Sequence, residues 1–140
     1  MQCLSFVKLL WALPCSVVGL LLALLPLALG GRAKVVAGAL EVTYRQRLAS
    51  CGKLALRLPF RGIVFGQVIL AVTQEELTLI GPHERVHVEQ YEHWGPVFFL
   101  AYPASSLWQL VRGRSPYWCN YFEVQARLRS TDSHRASGGV

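Results

Sequence analysis

From Leu9 to Gly30 the chain runs for twenty-two residues without a charged side chain. A helix of that length rises about 33 Å, enough to cross a hydrocarbon core of about 30 Å. Such a stretch must bury itself in lipid or in protein, and as a helix it satisfies its own backbone in either place. Lys8 precedes it, and Arg32 and Lys34 come after it. Pro14 and Pro26 are compatible with a transmembrane helix, because neighbouring groups re-satisfy the freed carbonyls. The length favours a retained transmembrane anchor over residues 1–31. A cleaved signal with Ala28-Leu29-Gly30 as its small-x-small site is the competing reading. The basic residues after the run (Arg32, Lys34, Arg45, Arg47, Lys53) place the rest of the chain in the cytoplasm. A signal peptide would export it, and the sequence leaves the side open.

The second constraint is His83-Glu84-Arg85-Val86-His87, an HExxH motif. Residues four apart on a helix share a face about 6 Å apart along the axis, so both imidazoles can grip one ion. Glu84 sits beside that face, where a carboxylate can take a proton from water activated by the metal. Zinc suits the donors: it accepts imidazole nitrogen, has no redox chemistry and lowers the pKa of its water to about 7. The plainer alternative is the polar face of a solvated helix, since HERVHVEQYEH is polar throughout.

A catalytic zinc needs a third protein ligand and one open position. His93 has the metzincin offset from His83, but Gln90 stands where that pattern needs glycine to turn the chain. On an unbroken helix His93 lies about 15 Å along the axis from His83, out of reach. Glu123 is the better candidate. It lies in Tyr121-Phe122-Glu123-Val124-Gln125-Ala126-Arg127, a segment expected to start the final helix, thirty-six residues after His87. That interval holds one helix and a loop, after which a second helix can return to the first.

This arrangement resembles the gluzincins, whose third ligand is a glutamate on a later helix. Residues 80–127 look most like the membrane-bound zincins of the CAAX prenyl protease type, with HExxH followed by ExxxD in an F-E-x-x-A-D context. The resemblance implies His83, His87 and Glu123 as zinc ligands and Glu84 as catalytic base. Arg127 stands where that family has an aspartate that orients a ligand histidine. The stretch His83–Val88, Gln90–Glu92, Trp94-Gly95-Pro96, Phe122-Glu123 and Ala126 also resembles a group of small bacterial membrane proteins of unassigned function, a likeness that implies no substrate.

Around the motif, Ala33–Tyr44 and Arg61–Val72 read as strands, rich in β-branched residues. Arg45–Leu58 is ambiguous. Thr73 and Glu76 have capping-box spacing, and the motif helix is expected from about Pro82 to Trp94, ended by Gly95-Pro96. Zincins place a strand before the motif helix whose edge pairs with extended substrate, and Gly62–Val72 sits where that strand would. A second uncharged run, Gly95–Val111, fits a helix on the membrane surface or a core helix behind the motif. Arg112–Pro116 reads as a loop. Residues 128–140, including His134, read as a disordered tail.

The expected fold is α+β: an N-terminal transmembrane helix, a small antiparallel sheet, a zincin-like HExxH helix and C-terminal helices, with the zincin-like domain over 32–127. The hydrophobic fraction of 53% exceeds the usual 45–50% or so and is concentrated in the two runs. A net charge of +6 is scattered rather than striped, which points to anionic lipid and away from nucleic acid. Cys51 and Cys119 pair only if the domain is exported, and no cysteine spacing suggests a metal knuckle. The functional expectation is a membrane-associated zinc metallopeptidase acting on peptide. The alternative is a non-catalytic membrane protein keeping the motif helix as a structural or metal-binding element. Tyr91, His93 and Tyr117 are the candidates for stabilising an oxyanion.

Overall fold

The computed structural model of the chain describes residues 2–44 and 61–137, so the ambiguous stretch 45–58 and Cys51 lie outside the described residues. The architecture is α+β. Helix α1 (Gln2–Ala28) precedes strands β1 (Arg32–Val36), β2 (Ala39–Thr43), β3 (Gly62–Phe65) and β4 (Val68–Ala71). Helices α2 (Gln74–Trp94), α3 (Phe98–Val111) and α4 (Tyr121–Ser137) complete it, with a 3-10 turn over Gly95–Val97 between α2 and α3.

Each stretch expected as one strand is a hairpin. Ala37 and Gly38 both have positive φ, 50° and 85°, the signature of a type I′ turn that matches strand twist. Gly66, with φ of 60°, turns the second hairpin. The sheet order is β1-β2-β4-β3. Pairing is antiparallel within each hairpin, but β2 runs parallel to β4, with Val42 opposite Leu70. The sheet is therefore mixed, not the antiparallel sheet expected. The cause is the second hairpin docking through its later strand: β4, Val-Ile-Leu-Ala, is buried at every position, as a strand covered on both faces must be.

One face of β4 presents Val68 and Leu70, which pack with Val42 of β2 and Ala23 of α1. The other presents Ile69 and Ala71 to a core that includes Leu77, Val88 and Tyr91 of α2. Ala12 and Cys15 of α1 belong to this second core too. α1 is thus joined to the fold along its length. Ser16 Oγ accepts from the Gln67 backbone N–H at 3.1 Å, and Trp11 lies against Gly95. A boundary at residue 31 divides the chain but not the core.

α2 starts eight residues before Pro82. Thr73 Oγ1 accepts from the Glu76 N–H at 3.1 Å, so the cap seen in the sequence opens the motif helix itself, directly after β4. Pro82 sits inside, where it gives up the bond its missing N–H would make. Gly95, at φ 52°, ends the helix as expected, its N–H bonding Tyr91 O. Arg85 ties α2 to the sheet through a 2.8 Å ion pair with buried Glu41. α3 turns Phe98, Ala101 and Tyr102 inward, whereas Leu100, Leu107, Trp108, Leu110 and Val111 stay exposed. α4 continues to Ser137, so residues 128–137, expected as tail, are helical.

A chain lacking residues 2–28 uncovers Val42, Val68 and Leu70 and removes Ala12 and Cys15 from the core. It is expected to lose cooperative unfolding in a circular-dichroism melt in detergent. A cooperative transition at the full-length temperature would show α1 to be dispensable.

Candidate metal centre

Three elements assemble the centre. His83 and His87 stand one turn apart on α2, and Glu123 lies in the first turn of α4, where the helix dipole favours its negative charge. Asn120 fixes that turn. Its Oδ1 accepts from the Phe122 N–H at 2.9 Å, while its Nδ2 donates to Tyr102 O and Ser106 Oγ on α3. A fully buried asparagine thus caps α4 and fastens its start to α3.

The two Nε2 atoms are 3.1 Å apart. His83 Nε2 lies 3.2 Å from Glu123 Oε2, and His87 Nε2 lies 3.3 Å from Glu123 Oε1. Together the three residues form a group able to hold a metal ion, with one ligand atom from each all within 4.8 Å of one another. Atoms about 2.0–2.1 Å from a tetrahedral zinc lie about 3.3–3.4 Å from each other, so the spacing is within a few tenths of an ångström of a coordination shell. Glu123 is 3% exposed, and its Oε2 makes no hydrogen bond. The residues therefore fit an ion in both donor chemistry and spacing.

Gln90 decides how His87 presents itself. Its side-chain nitrogen donates to the Phe122 carbonyl at 3.1 Å, and a carbonyl can only accept. Gln90 Oε1 must then face His87 Nδ1, 2.8 Å away, so Nδ1 carries the proton. Nε2 is left to turn its lone pair into the centre. The bond that orients a ligand histidine comes to His87 from Gln90, not from position 127. Gln90 follows His87 by three residues on the same helix face, a signal that sequence reading missed by weighing the position only for glycine. Tyr102 was also missed; its hydroxyl donates to Glu123 Oε1 at 2.7 Å.

Glu84 is 8% exposed beside the two histidines. A Cβ on Gly62 would lie 3.2 Å from Glu84 Oε1, so the glycine lets β3 approach the carboxylate. Burial pushes the Glu84 carboxyl above its ordinary value, and Glu123 adds to this, against the opposing pull of both histidines. Glu123 moves the other way. Burial alone would raise it, but the His83 and His87 imidazoles beside it and the Tyr102 hydroxyl hold it far below the usual carboxylate range. Burial works to lower His87, yet the Glu123 carboxylate outweighs it and lifts the imidazole.

These groups line a cleft of about 680 Å³, walled by β3, α2, α3 and α4, within the range of small-molecule sites. Tyr91 and Tyr117 reach the cleft wall, but exposed His93 does not; its Nδ1 donates to the Glu89 carbonyl. Arg127 also lines the cleft, with Nη1 3.9 Å from Glu123 Oε2. Among family models, curated proteins and solved structures, none matches the chain.

Replacing Gln90 by leucine removes the acceptor that fixes His87 and is expected to weaken metal binding about 10–100-fold. His83→Ala or His87→Ala should lose most of it. Competition against a chromogenic chelator reads each affinity, and an unchanged Gln90→Leu value would contradict the assigned role.

Proposed function

We propose that this chain is a membrane-associated, zinc-dependent hydrolase of gluzincin type acting on peptide bonds, with His83, His87 and Glu123 as ligands and Glu84 as general base. One observation carries the reading: two imidazole nitrogens and a buried carboxylate converge at a cleft wall with a second carboxylate beside them. A solvated polar helix face has no reason to meet a buried glutamate from another helix. When bound, zinc supplies a Lewis acid that lowers the pKa of water to about 7.

The residues divide the work. Glu123 stays anionic beside the two imidazoles and under the Tyr102 hydroxyl, as a ligand must. Glu84, lifted by burial, is a stronger base than an exposed glutamate and takes the proton from the attacking water. Among the described residues β3 is an edge of the sheet, and it lines the cleft, so an extended peptide can pair along Gly62–Phe65 beside Glu84. The outward face of α1, with Leu13, Leu20, Leu21, Leu24 and Leu25 exposed, supports lipid as its surroundings. Phe6–Ala28 is long and apolar enough to span a bilayer. The exposed leucines, Trp108 and Val111 of α3 support a second contact with the membrane surface. Its share in both cores, which cleavage after residue 30 would strip, supports retention of α1.

Glu84→Gln is expected to keep the metal and lose peptide hydrolysis, measured as metal content and cleavage of a quenched-fluorescent peptide library in detergent. Full hydrolysis by Glu84→Gln, or metal-free wild type purified without chelators, would overturn the reading. Zinc without hydrolysis would favour a non-catalytic metal-binding membrane protein.

A further inference from the structure

Arg127 occupies the cleft in an unusual state. It stands one helical turn after Glu123 on α4, and its guanidinium lies over the Trp118 ring, 5.1 Å from the centroid. One nitrogen, Nη2, donates to the Trp118 carbonyl. The other, Nη1, is buried, has no hydrogen-bond partner and stands 3.9 Å from Glu123 Oε2. At that distance the carboxylate offsets charge without satisfying the donor. A buried N–H left unmade is costly, so the arrangement holds a donor ready for a ligand. The contact with Trp118 holds the guanidinium in part before that ligand arrives.

The charge balance points the same way. With a divalent ion bound, two neutral imidazoles and one carboxylate would leave it a net charge of +1, and Arg127 would raise the local total to +2. Glu84, when ionised, returns it to +1. A cleft of that sign favours an anion next to the reacting group. The planar guanidinium matches a carboxylate better than a point charge would.

We propose that Arg127 is a specificity-determining residue whose Nη1 binds a substrate carboxylate beside the Glu123 side of the centre. The favoured substrates are peptides carrying a carboxylate next to the scissile bond, either a free C-terminus or an acidic side chain. This rests on the hydrolase reading for its meaning as specificity, but binding of the carboxylate can be read without turnover and without metal.

The test uses full-length Glu84→Gln protein in detergent micelles, with and without zinc, titrated calorimetrically with three short peptides. The first is acetyl-Ala-Ala-Leu as the free acid, the second is its amide, and the third is the amide with aspartate in place of the middle alanine. One of the two carboxylate peptides is expected to bind about tenfold or more tightly than the neutral amide, and which one does so identifies the source. Adding Arg127→Gln should erase that preference while leaving the neutral amide's affinity in place. Arg127→Lys, which keeps the charge and guards against a folding defect, should recover part of it. Equal binding of all three peptides, or a preference that survives Arg127→Gln, overturns the proposal. Protein that binds no zinc but keeps an Arg127-dependent preference overturns the hydrolase reading alone.

Discussion

A carboxylate buried to 3% exposure cannot stand in a protein interior without partners, and Glu123 is that carboxylate. Its environment organises the C-terminal half of the molecule. His83 and His87 must come from α2, Tyr102 from α3, and α4 must begin at one defined place to deliver the group between them. Each requirement has its own fastening. Asn120 pins the start of α4 to α3, and Gln90 joins α2 to the Phe122 carbonyl and to Gln125. Phe122 packs among Phe98, Trp94 and Tyr102, so the residue adjoining the ligand anchors the aromatic core. Moving α4 by one turn would break all of these together. The centre is therefore as rigid as the core around it.

How much the sequence disclosed depends on how local each signal is. HExxH declares a shared helix face because a four-residue spacing has one meaning on a helix. Glu123 was legible from an apolar-flanked helix start, and Asn120 three residues earlier completes the capping pattern that went unread. The hairpins were missed because Gly38 and Gly66 lie within long β-rich stretches, although positive φ at a glycine is what a two-residue turn needs. Pro82 drew the predicted helix start to itself, while Thr73, with its capping-box spacing, held the real one. Parallel pairing of β2 with β4 had no local trace. It depends on what covers both faces of β4, and one cover, α1, reads in the sequence as an anchor separate from the domain. The polar composition of 128–137 suggested a tail, yet ten residues continue α4.

α1 reconciles two demands that pull in different directions. Its inward residues are small: Ala12, Cys15, Gly19 and Ala23 let strands approach closely, and a Cβ at Gly19 would lie 2.7 Å from Val68 Cβ. Its outward residues are mostly leucines. From Leu9 on both faces are uncharged, which is why the sequence shows one unbroken apolar run. Close packing through small residues is how helices associate where lipid offers no hydrophobic gain. The same helix completes a protein core and leaves a leucine-rich apolar face outside it.

The two acidic groups beside the histidines separate by environment, not by chemistry. Both are buried glutamates within reach of the same imidazoles. Glu123 is held low because two imidazoles stand 3.2 and 3.3 Å from its oxygens and a tyrosine hydroxyl donates to one of them. Glu84 is raised because burial outweighs the weaker long-range pull of the same histidines. Titratable neighbours driven apart in this way are the usual source of distinct roles in one site. The ionised member can hold a cation at any physiological pH. The raised member keeps enough basicity to accept a proton and return it. The proposed ligand and base roles therefore follow from which glutamate stands against both imidazole nitrogens and which is only buried beside them.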